Sequence, residues 1–164
     1  MSKKYEIIKD YNNTSYLIRN NICSARLLFN LNPNRYSFMI RDILEYGEVV
    51  GFDLSVKIIE ISELIRNPIS KKGDGKLLLT DFLETTDDNT IIMLKAQSYY
   101  SYPNQPIDDF EYLQTKLISY YKTLGFVSTN IISDLTGCEP MIFKNNIGKQ
   151  ILSEIYHFQH TDYQ

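Results

Sequence analysis

The segment from Val56 to Leu79, VKIIEISELIRNPISKKGDGKLLL, constrains this chain more than any other. It reads as a strand, a turn with two glycines and a pair of lysines, and the opening of a helix. Gly73 and Gly75 allow dihedrals that a side chain would forbid, and they leave room for a ligand to approach the backbone. Leu77, Leu78 and Leu79 then open the helix. Its first N–H groups and its positive dipole end face back into the turn, an arrangement that binds phosphate. Lys71, Lys72 and Lys76 place cations around the same spot. The expectation is a site for a pyrophosphate-bearing cofactor. The spacing is neither the Walker pattern nor the three-glycine Rossmann pattern, and a two-glycine turn before a helix is also a common surface connection.

Composition narrows the class. Hydrophobic residues make up 43% and charged residues 23%, as in an ordinary globular protein. At 164 residues the simplest expectation is one domain, 1–164. A net charge of −3 and a pI near 5.4 argue against a general nucleic-acid binder. No apolar run approaches the roughly 20 residues of a membrane helix. The N-terminus lacks the apolar core of a signal peptide, so a cytoplasmic location is expected. Cys23 and Cys138 are too few for a disulfide scaffold. There is no Cys/His cluster, and His157 and His160 lie together near the C-terminus without partners, so no metal site is expected.

Along the chain, 5–8 and 15–18 read as short strands split by the turn at Asn12-Asn13. Ile22 to Leu31 is a strand-compatible run, and 36–44 follows as another. Asp53 to Arg66 alternates as one long strand, which Asn67-Pro68 stops. From Gly75 the spacing turns helical, with Leu77, Leu78, Phe82 and Leu83, and it ends in the polar run 85–89. Ile91 to Leu94 is continuously apolar, as in a strand buried on both faces. A tyrosine-rich loop, 98–106, precedes an amphipathic helix over 106–124, with Phe110, Leu113, Leu117 and Leu124 on one stripe. Gly125 suits the position just past that helix. Two closing strands, 126–132 and 140–144, and a weaker helix over 147–158 complete the chain. The order predicts an α/β or α+β fold with a mixed sheet.

These residues resemble the GNAT superfamily of acyl-CoA-dependent N-acyltransferases. Its first motif is a strand, a loop of the form Arg/Gln-x-x-Gly-x-Gly/Ala and a helix, often led by Glu-Leu-x-Val-x-Pro. Glu63-Leu64-Ile65-Arg66-Asn67-Pro68 resembles the leader, and Gly73-Asp74-Gly75 resembles the glycine pair. The second motif is a helix ending in Phe-Tyr-x-x-x-Gly-Phe, matched by Tyr120-Tyr121-Lys122-Thr123-Leu124-Gly125-Phe126. The agreement spans roughly 56–144. Ser70 stands where the family prefers Arg or Gln, the loop is one residue short, and 9–35 reads as strands where the family has a pair of helices.

The resemblance implies a GNAT-like, mixed, mostly antiparallel sheet flanked by helices and splayed at its central strands. It implies acetyl-CoA as cofactor, with its pyrophosphate on Lys71, Lys72, Gly73, Asp74, Gly75 and Lys76. The pantetheine arm would lie along Leu64, Ile65 and Arg66. The acceptor would be an amine of a small molecule or a protein. Glu60 is the expected base, with strand alternation placing Glu60 and Glu63 on opposite faces. Tyr121 is the expected proton donor to the leaving thiolate, and Tyr120 takes the core role. A homodimer through an edge strand or 147–158 is one option. The alternative to an enzyme is a non-catalytic module that keeps the fold and binds CoA structurally or acts through a protein partner.

Overall fold

The computed structural model describes residues 4–10, 13–31, 57–67, 72–95, 107–129 and 140–161. The expected strand at 36–44 and the tyrosine-rich loop lie outside them. Seven strands form one sheet in the order β1-β2-β3-β4-β5-β7-β6. They are β1 (Glu6–Asp10), β2 (Thr14–Arg19), β3 (Ile22–Leu31), β4 (Ile58–Arg66), β5 (Ile91–Lys95), β6 (Phe126–Ser128) and β7 (Pro140–Phe143). Three helices accompany them among the described residues: α1 (Asp74–Thr85), α2 (Ile107–Thr123) and α3 (Asn146–Thr161). None of these is long and apolar enough to cross a membrane.

β1 to β4 form an antiparallel meander. Asn20 and Asn21, at φ 51° and 62°, form the two-residue connection between β2 and β3. Two consecutive positive φ values are the signature of a type I′ turn, whose twist matches that of the strands it joins. β4 then pairs with β5 in parallel, and α1 makes the crossover between them. β7 inserts between β5 and β6, antiparallel to both. The described part of the expected long strand runs Ile58–Arg66, with residues 53–56 outside the described ones, and the Lys57 carbonyl before it accepts the Ile91 N–H at 2.9 Å.

The registers define two faces. Leu17, Ala25, Leu27, Ile59, Ile61, Ile92, Leu94, Met141 and Phe126 share the first, and they bury against Leu78, Leu79, Phe82 and Leu83 of α1. Leu117, Ile118 and Tyr121 of α2 pack against the same core. Of the apolar positions expected for these helices, Leu78, Phe82, Leu83, Leu117 and Leu124 do cover the sheet, Leu77 is exposed, and the side chains of Phe110 and Leu113 lie outside the described ones. Alternation turns Ile58, Ile91, Met93 and Ile142 to the second face. There α3 lies against β5 and β7, with Ile147, Ile151 and Ile155 buried.

One irregularity matters for the site. Leu28 pairs with Glu63, but its neighbour Phe29 pairs with Ile61, so Ser62 is an extra residue in β4. Such a bulge shifts the period-two alternation by one. Glu60, opposite Asn30, and Glu63, opposite Leu28, therefore share the second face, contrary to the expectation that they point to opposite faces. The bulge also coincides with the end of the β4–β5 pairing, which runs from Ile58–Ile91 to Ile61–Leu94. Beyond it, Lys95 pairs with Pro140 of β7 but has no β4 partner among the described residues. Among the described residues, 62–66 of β4 continue against β3 alone, and the β4–β5 pairing stops at Ile61–Leu94; the splay that the resemblance implies would lie beyond it, where residues 96–100 fall outside the described ones.

Candidate active site

At the end of β4, beyond its bulge, the glycine turn and α2 enclose a cavity of about 620 Å³. That is within the usual range for small-molecule sites. β4 contributes Leu64; the turn and the first turn of α1 contribute Lys72, Gly73, Gly75 and Lys76; α2 contributes Leu117, Tyr120 and Tyr121. Its floor is apolar and its rim carries two exposed lysines.

The turn is built for close approach. Gly73 has φ 94°, and it starts α1 without any side-chain cap. The first intrahelical hydrogen bond of this turn is donated by Leu77 N–H to the Gly73 carbonyl, at 2.9 Å. Gly75 and Lys76 thus fall in the first turn, whose N–H groups have no acceptor within the helix. A Cβ on Gly73 would meet nothing within 4 Å, and one on Gly75 would meet only the Leu64 side chain, at 3.5 Å. The space over this helix end is open on the cavity side.

Asp74, between the two glycines, turns the other way. Its side chain is 1% exposed. Arg19 donates to both carboxylate oxygens, from Nε at 2.7 Å and from Nη2 at 2.9 Å, and Ser24 Oγ donates at 2.5 Å. The Tyr5 ring lies 5.1 Å from the Arg19 guanidinium carbon. The hydrogen bond from Asp74 raises the Arg19 pKa further, against the effect of burial. As a ligand contact, the Asp74 side chain is a correction to the sequence expectation: it anchors the turn to the β2–β3 hairpin, and Asp74 is not among the residues lining the cavity. Arg19 and Ser24 were not legible as part of this site, because they lie 55 and 50 positions away from Asp74.

Tyr121 lines the cavity and is mostly buried, with its ring centroid 5.9 Å from Phe126 and 5.4 Å from Tyr120. Burial pushes the Tyr121 phenol above its ordinary value of 10.0, and neighbouring Tyr120 pushes in the same direction. The phenol therefore keeps its proton at neutral pH. The division of roles between the two tyrosines is not the one expected: Tyr121 is packed against the core, and Tyr120 also lines the cavity. Leu117 lies one helical turn before Tyr121, so its place was readable from the i, i+4 spacing.

The remaining expected residues are arranged around this centre. Ile65 is half-buried opposite Arg26, and Arg66 pairs through its backbone with Ala25. Glu60 is half-buried on the second face, opposite Asn30 and Met93, before the bulge. It does not line this cavity among the described residues. Lys71 and Ser70 lie outside the described residues.

No family model and no curated protein matches the chain. Solved structures are similar to it at low identity. Naa50 of Arabidopsis thaliana, in complex with the bisubstrate analogue CoA-Ac-MVNAL, is 17% identical, with 80% of this chain and 72% of that one covered and a TM-score of 0.44. The Bacillus subtilis N-acetyltransferase YlbP, in complex with coenzyme A, is 13% identical over 80% and 67%, with a TM-score of 0.46. A bacterial toxin is 19% identical over 88% and 72%, with a TM-score of 0.49. The strand order, the parallel β4–β5 step across a glycine turn and the bulge that ends their pairing give this chain a GNAT-like fold.

Proposed function

We propose that this chain is a single-domain N-acetyltransferase that moves an acetyl group from acetyl-CoA to an amine of a small molecule or a protein. The observation that carries this reading is the convergence on one cavity, beside the end of the described β4–β5 pairing, of an open helix N-terminus, two lysines and a mostly buried tyrosine that keeps its proton.

The residues present fit the cofactor. Gly73, Gly75 and Lys76 would offer backbone N–H groups and the helix dipole to its diphosphate, with Lys72 and Lys76 supplying positive charge. Leu64 and its β4 neighbours beyond the bulge would hold the amide-bearing arm through backbone hydrogen bonds. When bound, acetyl-CoA supplies an acyl group already activated as a thioester.

The chain's own groups then manage protons. The attacking amine must be neutral, and its proton has to leave as nitrogen bonds to the acyl carbon. Glu60, directly or through water, is the assigned acceptor of that proton. As the carbon–sulfur bond breaks, the electron pair goes to sulfur, and Tyr121 Oη–H donates the proton that the thiolate needs. A backbone N–H of β4 beyond the bulge would stabilise the developing oxyanion.

Calorimetric titration with acetyl-CoA tests the reading. Micromolar binding is expected, together with a higher melting midpoint, because a ligand that binds only the folded state must stabilise it. A protein that binds no CoA at all would end this proposal. Binding without transfer to any of a panel of amines would leave the non-catalytic module.

Tyr121→Phe tests the donor. Loss of a general acid typically costs about 10²- to 10⁴-fold. The expected result is a kcat lower by at least tenfold, with little change in KM. In the wild type, the phenol holds its proton below the usual tyrosine value and loses it only as pH rises through its raised one. The alkaline limb of kcat/KM, which reports the free enzyme, is therefore expected above pH 10, and Tyr121→Phe removes that limb. An unchanged kcat would take Tyr121 out of the proton path.

A further inference from the structure

The carboxylate of Asp74 poses an electrostatic problem that the surrounding residues solve. It sits between Gly73 and Gly75, at the helix end that the proposed function gives to a diphosphate. An acidic residue in a first helical turn is favourable to the helix itself. It is unfavourable to a second anion arriving at the same place. Yet both carboxylate oxygens are engaged: Arg19 takes them as a fork, and Ser24 Oγ adds a third donor. The fork is a planar, bidentate match that an ammonium cannot reproduce. Tyr5 lies against the guanidinium at 5.1 Å, and the tight Asn20–Asn21 turn ties Arg19 and Ser24 to one rigid hairpin.

We propose that Arg19 is a positioning and charge-cancelling residue for the diphosphate site: it neutralises Asp74 and holds its carboxylate away from the cavity, so that among the described residues the turn presents Lys72, Lys76 and N–H groups to an anion. The inference rests on the diphosphate reading above. Arg19 does not touch the ligand. It acts through Asp74, and its loss leaves a negative charge built into the anion site.

That sign separates the idea from a purely structural latch. Removing Arg19 should weaken anion binding by about tenfold or more, the scale of one uncompensated charge a few ångströms from a diphosphate. Removing the carboxylate as well should restore it, although the latch is then broken twice. Wild type, Arg19→Met and Arg19→Met/Asp74→Asn are titrated with CoA, with inorganic pyrophosphate, which probes the turn alone, and with pantetheine, which lacks phosphate.

The expected result is a loss of tenfold or more for CoA and pyrophosphate in Arg19→Met, a loss of less than twofold for pantetheine, and recovery of CoA binding to within about threefold in the double variant. An equal loss for pantetheine, no loss for CoA, or a double variant as weak as the single one would overturn it. Where Arg19→Met does not fold, Asp74→Asn alone decides. With Arg19 intact and the carboxylate gone, CoA affinity should stay level or rise, and a tenfold weakening would overturn the proposal. A wild type that binds pyrophosphate but not CoA defeats the acetyltransferase reading, and the pyrophosphate titrations still decide the role of Arg19. A wild type that binds neither defeats both.

Discussion

Gly148→Ala is expected to lower the stability of this protein by about 4 kcal/mol. A Cβ at this position would lie 1.9 Å from the Phe143 carbonyl oxygen and 2.9 Å from Asn145 Oδ1. The first of these is backbone, at the end of a buried strand, so it cannot swing aside as a side-chain tip would. Helix α3 would have to move instead, and its start is where its anchors are. Asn145 Oδ1 accepts the Gly148 N–H at 2.9 Å, and Asn145 Nδ2 donates to the Thr90 carbonyl at 2.7 Å. Asp88 adds two more bonds, accepting the Asn146 N–H at Oδ1 and the Ile147 N–H at its carbonyl. Overpacking costs typically 1–3 kcal/mol, a lost cap about 1, and a buried acceptor left unpaired about 1–3. The gain in helix propensity from Gly to Ala is only about 1 kcal/mol and does not offset these. A domain of this size should lose about 10 °C of melting midpoint, read by circular dichroism. A shift of less than about 2 °C would mean that α3 is free to slide, which the packing of Ile147, Ile151 and Ile155 opposes.

The elements that the sequence located well are those whose signals are local. The run Ile22 to Leu31 ends at a turn pair on one side, and the strand has those bounds. The stripe of α2 and its closing Gly125, at φ 102°, follow from helical spacing and from the need for a left-handed residue after the last turn. The glycine turn and the leucines of α1 likewise carry their own signal. What was not legible depends on a partner strand. Nothing in Ile61-Ser62-Glu63 marks Ser62 as an insertion, because a bulge is defined by the register against β3. The placement of Glu60 and Glu63 on one face follows from it. Asp74 looks like a loop residue beside two glycines, and its burial arises only when Arg19 arrives from β2. Tyr120 and Tyr121 are adjacent on a helix, and their spacing alone leaves open which of them meets Phe126.

The other large effect concerns binding and leaves folding intact. Gly75→Glu should abolish CoA binding, with affinity lower by at least 100-fold. Gly75 lines the cavity, and a Cβ there meets only Leu64 Cδ2 at 3.5 Å and Leu64 Cγ at 3.8 Å, which is ordinary contact. Its φ is not positive, so a side chain is tolerated without strain. The carboxylate would enter the space beside Lys72 and Lys76, where it would pair with the cations meant for a diphosphate and occupy its volume. Like charges at about 4–6 Å cost about 3 kcal/mol at an effective dielectric constant near 20, and 100-fold corresponds to about 2.7 kcal/mol. Gly75→Ala is the matched control. It adds the same Cβ with neither charge nor reach, and it should keep CoA affinity within about threefold while gaining up to about 1 kcal/mol of stability from helix propensity. Calorimetric titration of the three proteins, with melting of the unliganded forms to verify folding, separates the cases. If the glutamate variant folds and still binds CoA as the wild type does, the diphosphate does not sit on this turn. The cavity beneath Tyr121 would then need a different ligand.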